Sequence, residues 1–217
     1  MQYLFNRPQI AGHEANMASG RKLTFDKHQA LEAAMYVFWK KGYGGASLAE
    51  LTHRMGINKP SLYATFGNKE ALFVQATDYY AEVIGAKHNA FLTQKDTPLS
   101  MRLKLFLTSI IKGQCDKNNP KGCYISLCAA ETESEDIPQA AQQKILEVSE
   151  LTYKALVTLF KEDVEAQHYK LDTQAQHHAC FLMATIHGTA AMARAGKSQK
   201  ALMPVVDHAI EGLGLAL

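Results

Sequence analysis

The sequence predicts an all-α protein, a small three-helix head followed by a larger helical bundle. Three observations carry this. Strand-like runs of Val, Ile, Thr and aromatics with period two are nearly absent. Apolar residues recur instead at three- and four-residue spacing along most of the chain. And in GINKPSLYATFGNKEALF, from Gly56 to Phe73, the chain breaks and restarts twice within eighteen positions, which neither an ordinary core helix nor an ordinary loop requires.

Taken in order, a first helix is expected from about Asp26 to Lys41, with Ala30, Ala34, Val37 and Phe38 on one face; Gly42 to Gly45 ends it. Ser47 caps a second helix, SLAELTHRM, with Glu50 at the capping-box spacing and Leu48, Leu51 and Met55 facing inward. Gly56 stops it in the left-handed conformation. Asn58 caps a third helix of barely two turns, where Pro60 is tolerated because first-turn N–H groups have no intrahelical partner. Gly67-Asn68 breaks that helix, and a fourth runs from Lys69 towards Phe91.

Beyond Pro98 come a helix with the stripe Leu103, Phe106, Leu107 and Ile110, a turn at Asn118 to Gly122, and the short apolar CYISLCAAE. After the acidic TESEDIP follow a long helix bearing Ile145, Val148, Thr152, Leu156 and Leu159, another from about Thr173 to Arg194, and a last from about Lys200 to Leu213. The expected division is a tail over 1–20, a head over 21–68 and a body over 69–217.

Composition narrows the class. Of 217 residues, 47% are apolar and 20% charged, enough for a core and too ordinary for wholesale disorder. The run AAMYVFW is too short to span a bilayer, and the first twenty residues lack the apolar stretch of a secretory signal, so cytoplasmic residence without membrane contact is expected. Those residues read as a tail, or as an extension upstream of a start at Met17. Four cysteines without CxxC or zinc-finger spacing are expected to stay reduced. From Arg21 to Lys69 there are eight Lys/Arg against three Asp/Glu; from Ala71 onward, 14 against 16. A basic head on a mildly acidic body points to a polyanionic partner at the head.

Two short helices joined by a tight glycine turn fit the helix-turn-helix unit. Thr52, four residues before Gly56, permits a close crossing, and Ile57 and Leu62 pin the second helix to the first. That leaves Asn58, Lys59, Ser61, Tyr63, Ala64 and Thr65 on or near an exposed side whose helix N-terminus fits a major groove. Helix starts also suit phosphates, which gives Ser47, Lys59, Asn68 and Lys69 plausible roles. Taken singly, Tyr63 and Phe66 read more simply as core aromatics, and Lys40 and Lys41 as charges favoured by a helix C-terminus.

Residues 21 to 73 as an ordered set resemble the DNA-binding domain of the TetR family of transcriptional regulators. The matching features are Phe38 with Gly42-Tyr43, a Ser opening the second helix, Gly56-Ile57 before the turn, Ser61-Leu62-Tyr63 with Phe66, and Lys69-Glu70 with Leu72. They cover about a quarter of the chain. The resemblance implies that Ser47 and Lys69 hold phosphates, that Lys59, Pro60, Ser61 and Tyr63 line the recognition helix with Tyr63 on a phosphate, and that Phe66 and Phe73 pack inside. Where many members carry His before the final Phe, this chain has the shorter Thr65. Arg21 and Lys22 are placed to reach backbone or minor groove as an arm. The resemblance further implies a homodimer on a palindromic operator in double-stranded DNA, acting as a repressor released by a small-molecule effector in the body, with no cofactor.

For the body, the small residues of His187-Gly188-Thr189-Ala190-Ala191 suit either a dimer face or packing within the subunit. Candidate effector contacts are Phe106, Ile110, Tyr124, Cys128, Tyr153, Met183 and His187, each of which also reads as plain core. Cys115 and Cys123 flank the turn, and Lys121 near Cys123 favours a thiolate. The Gly122-Cys123 pair resembles that of the repressor of N-ethylmaleimide reductase, an electrophile sensor of the same family, so a thiol sensor stands beside the reading of both as structural cysteines. His177, Cys180 and His187 share a helix face within about 80°, a polar wall rather than a metal set, and the acidic ETESED run reads as a solvated loop rather than a cation site. The rival from another class is a helical ligand carrier or enzyme with an incidental basic head; no Ser-His-Asp set, paired-carboxylate motif or phosphate-binding glycine loop supports it.

Overall fold

The computed structural model describes residues 25–131 and 137–216, and every regular element among them is helical. The tail, Arg21, Lys22 and residues 132–136 of the acidic run lie outside the described residues. Helix α1, Lys27–Gly45, starts on the carboxylate of Asp26, which accepts from the backbone N–H groups of His28 and Gln29. Its regular part ends at Gly42, whose φ of 71° turns the chain out of the helix. The positive φ favours glycine here, and a Cβ at Gly42 would also displace the carboxylate of Glu131.

Helices α2 (Leu48–Met55), α3 (Lys59–Phe66) and α4 (Lys69–Tyr80) follow with the expected punctuation. Ser47 Oγ accepts from Glu50 N, Asn58 Oδ1 from Ser61 N and Asn68 Oδ1 from Ala71 N. Only half of the expected capping box forms, because the Glu50 carboxylate turns to Lys41 Nζ at 2.6 Å. Gly56, at φ 67°, closes α2.

The fourth helix differs from the uniform helix expected to Phe91. It passes through a π-helical turn, Ala81–Gly85, into α5 (Ala86–Asn89) and a 3₁₀ turn, Ala90–Thr93. The body adds α6 (Leu99–Gln114), α7 (Tyr124–Ala129), α8 (Gln139–Glu162), the unanticipated short α9 (Val164–His168), α10 (Ala175–Arg194), α11 (Gln199–Leu202) and α12 (Pro204–Gly212). Helix α9 begins on Asp163, which also pairs with the buried Arg102 at 2.7 Å.

The core does not divide at residue 68. One apolar cluster runs from Ala30, Phe38 and Leu62 in the head through Phe73 and Tyr80 on α4 into Tyr124, Cys128 and Ile145 on α7 and α8. Phe73 meets the rings of Phe38 and Tyr43 edge-on with centroids 5.0 and 5.2 Å apart, and Tyr124 Oη bonds Thr77 Oγ1 at 2.8 Å. A second cluster, from Leu92 to Leu215, holds the remainder of the body. Head and upper body therefore share side chains that no cut in the chain separates.

Candidate functional site

The exposed side of the head is built from helix starts. Ser47, Asn58 and Asn68 each spend their side-chain oxygen on a cap and remain exposed. Their backbones therefore present three helix N-termini, each with residual N–H groups and positive dipole ends. On α3, Lys59, Pro60, Tyr63 and Ala64 are exposed, Ser61 and Thr65 half-buried, and Leu62 and Phe66 buried. Tyr63 is 50% exposed and among the large apolar side chains left outside the core, unlike Phe66 at 2%. Those two aromatics, indistinguishable in type, are thus sorted by position.

Lys69 is held differently from Lys59. Its ammonium sits over the ring of Tyr43, 4.4 Å from the centroid, and burial lowers its pKa while Glu131 pulls the other way. Glu131 also accepts from Tyr43 N at 2.9 Å. From α10, the Arg194 guanidinium donates to Lys40 O at 2.9 Å and to Trp39 O and Lys121 O at 3.5 Å. A cation thus closes the C-terminal carbonyls of the regular part of α1.

A cavity of about 670 Å³ lies in the body beneath this junction. Trp39, Tyr80 and Ile84 wall it from the head side, and Ile110, Met183 and His187 from the body. The π-helical turn coincides with its wall through Ala81, Ile84 and Gly85. Of the residues expected in a pocket, Ile110, Met183 and His187 line it. Phe106 and Tyr153 pack in the lower core instead, while Tyr124 and Cys128 fill the core shared with the head. Burial drives the Cys128 thiol well above its ordinary pKa. Sequence reasoning missed Trp39, Tyr80, His88 and Gln114, because only the fold shows that the core holding Trp39 and Tyr80 ends at a cavity.

Cys123 lines the cavity with Sγ 3.5 Å from Tyr80 Oη. Cys115 does not, packing against the lower core near Lys197. Lys121, expected beside Cys123, donates to the carbonyls of Cys115 and Asp116. The turn is pinned by Gly122 N on Gln114 O, and Gly122 stands at φ +84° with its Cβ position 2.9 Å from Ala190 O. The His177, Cys180 and His187 face does not converge: His187 Nδ1 bonds Ser126 Oγ at 2.7 Å, Cys180 is exposed, and no cluster of three metal-ligating side chains occurs among the described residues. No described helix is long and apolar enough to cross a membrane.

Residues 30–76 match the model for bacterial regulatory proteins of the tetR family, and residues 101–208 that for the C-terminal domain of LmrA/YxaF-like transcriptional regulators. The HTH-type transcriptional repressor ComR of Escherichia coli K12 is 38% identical over 106 residues, 49% of this chain and 50% of that protein. BdcR of the same organism, also a transcriptional repressor, is 34% identical over 106 residues, 49% and 53%. The chain thus matches about half the length of these curated relatives. Among solved structures, a cysteine-substituted CifR, a TetR family regulator complexed with 26-base-pair operator DNA, superposes with a TM-score of 0.81 at 28% identity, covering 88% of this chain and 98% of that one. Reduced NemR of E. coli shares the fold, with a TM-score of 0.68 at 17% identity over 84% and 94%. With one model matching the head and another the body, the chain belongs to the TetR family of bacterial transcriptional regulators.

Proposed function

We propose that this chain is a dimeric repressor that holds a palindromic operator through α3 and releases it when a small molecule fills the body cavity. The observation that carries the proposal is the double membership of Trp39 and Tyr80. Both belong to the core that supports the head, and both form the cavity wall. A molecule in the cavity touches α1 and the end of α4 directly, so filling it shifts the platform on which α2 and α3 sit. Lys59, Pro60, Ser61 and Tyr63 read the groove, Ser47, Asn58, Asn68 and Lys69 sit at phosphates, and Thr65 completes the face. Arg21 and Lys22 contribute an arm. The dimer face is the outer side of α10, where Phe181, Gly188, Ala191 and Met192 are exposed, with Gly212 of α12 beneath Phe181; Thr189 and Ala190 turn into their own subunit.

The test is selection of bound genomic fragments by the full chain, followed by a salt series on the recovered site. A palindromic half-site, with affinity falling as salt rises, is the expected result. Affinity that ignores salt, or no enrichment at all, overturns the proposal in favour of a carrier or enzyme. Lys59→Ala and Ser61→Ala should alter sequence preference, whereas Lys69→Ala should weaken all sequences alike.

A second reading has one observation in its favour, the place of the half-buried Cys123 in the cavity wall. There its thiol is positioned to add across an electron-poor C=C bond of an effector, the π bond opening as the C–S bond forms and the S–H proton passing to the adjacent carbon; Cys115, outside the cavity, serves as the internal control. Mass-spectrometric labelling of the native protein decides it. Unmodified Cys123, with operator binding unchanged after electrophile treatment, rules this reading out.

A further inference from the structure

Where α1 and α2 meet the turn after α6 and the end of α10, the surface opens into a cleft of about 750 Å³. Among the described residues that line it are four cations, Lys40, Arg54, Lys121 and Arg194, and no Asp or Glu. All four are exposed, so their charges stand in the solvent of the cleft.

These cations are held differently from others in the chain. Lys41 pairs with Glu50, Arg102 with Asp163, Lys104 with Asp207 and Lys144 with Asp78, at 2.6 to 3.0 Å. In the cleft the partners are neutral carbonyls. Arg194 donates to Lys40 O at 2.9 Å and to Lys121 O at 3.5 Å, so one guanidinium joins the backbones of two cleft lysines. Lys121 Nζ donates in turn to the carbonyls of Cys115 and Asp116. A carbonyl orients a cation without cancelling its charge, and both groups keep further N–H donors, a guanidinium having five and an ammonium three. The side chains of Lys40 and Arg54 make no hydrogen bond or ion pair among the described residues. Asn119, also in the wall, accepts from the Tyr36 hydroxyl on Oδ1 at 3.1 Å, which leaves its amide nitrogen as a donor. The carboxylate of Asp116, outside the wall, accepts from Asn118 N at 2.9 Å.

We propose that this cleft binds a phosphate group, with Lys40 and Arg54 supplying free charge and Arg194, Lys121 and Asn119 supplying donors already held in place. Positive charge, surplus N–H groups and a wall without carboxylates match the acceptor oxygens of a polyanion. Lys40 and Arg54 belong to the head, and Asn119, Lys121 and Arg194 to the body, so the bound group is contacted from both sides of the joint. Two sources carry such a group, a free phosphorylated molecule and the operator backbone flanking the half-site. Nothing in this inference depends on what fills the body cavity.

The probe is inorganic pyrophosphate, titrated calorimetrically into the full-length protein without divalent metal, at a constant ionic strength of about 0.05 M to limit screening. The double variant Lys40→Gln/Arg54→Gln should bind it about tenfold more weakly. Lys95→Gln/Lys200→Gln, which removes the same charge from exposed lysines outside the cleft, should stay within about twofold of the wild type. No pyrophosphate binding at millimolar concentration, equal losses in the two double variants, or a loss in Lys59→Gln in place of the cleft variant overturns the inference; the last result puts the anion on the operator face. A salt series on duplex DNA then distinguishes the sources. With the site established, a slope of log affinity against log salt lowered by about 2 in the cleft variant assigns it to the DNA backbone. An unchanged slope assigns it to a free phosphorylated molecule.

Discussion

Head and body deploy their polar side chains in opposite ways. In the head, Ser47, Asn58 and Asn68 cap their helices at the surface, and Lys59 and Tyr63 stand in solvent. Such a face suits a wet, charged partner, where exposed donors lose little before binding and gain charge-assisted bonds on contact. In the body, His88, His187 and Asn89 are paired within the fold, in a cavity wall that carries no charged side chain. Such a wall suits a dry, neutral partner. The two surfaces meet in one continuous core through Phe73, Tyr80 and Tyr124, so they are chemically opposed and mechanically joined.

That join gives the largest expected effect. Phe73 is fully buried among Phe38, Tyr43 and Tyr124. Phe73→Ala should destabilise the protein by about 3–5 kcal/mol through lost burial and the cavity left behind. In urea, followed by both Trp39 fluorescence and circular dichroism, a single transition should move as a whole. Two separated transitions would show that head and upper body are independent, and would break the join.

Tyr63→Ala sharpens the other side of the comparison. A half-exposed tyrosine contributes little to stability, so the unfolding midpoint should change by about 0.5 kcal/mol or less, while affinity for the selected operator falls about tenfold. Phe66→Ala, three residues on, should do the reverse and destabilise first. A large stability loss at Tyr63 would return it to the core. Lys69→Ala has a smaller, more uniform effect. Losing one phosphate contact should lower the slope of log affinity against log salt by about 1 for every sequence tested. An unchanged slope would assign Lys69 wholly to its place over Tyr43.

The head was legible because its signals are local. Gly56, Asn58, Pro60, Gly67 and Asn68 act through their own backbones, so caps and breaks can be placed from residue type alone. The core split between Tyr63 and Phe66 needed the ordered pattern, since either aromatic alone fits either side. The cavity was only partly legible, with Ile110, Met183 and His187 anticipated and Trp39, Tyr80 and Gln114 not. An apolar helix face looks the same whether it meets another helix or an empty volume, and which one it meets depends on contacts distant in the chain. The π-helical turn at Ala81–Gly85 was hidden for a similar reason, because AEVIG carries no helix-breaking pair and the widened turn shows only in the fold. Glu131 and Arg194, which tie the body to α1, look like ordinary surface charges until folding brings them 88 and 154 positions back along the chain to Tyr43 and Lys40.

The smallest effect tests whether the cavity wall is as dry as the comparison requires. His88 and His187 have pKa values lowered by burial, with Lys87 adding to the effect on His88. In the unfolded chain each takes up a proton near the ordinary value of about 6.5, and the folded protein follows only at lower pH. Over that interval the unfolded state binds more protons, so stability rises with pH. The contribution is fully present above about 6.5 and is lost progressively as pH falls towards the folded values. Between pH 7.5 and 5.5 the urea midpoint should therefore fall, with both histidines contributing. His187→Gln, which keeps a polar group for Ser126 but cannot take up the proton, should weaken that pH dependence. A pH profile identical to that of the wild type would mean that water reaches the ring in the folded state, and that this side of the cavity is open rather than dry.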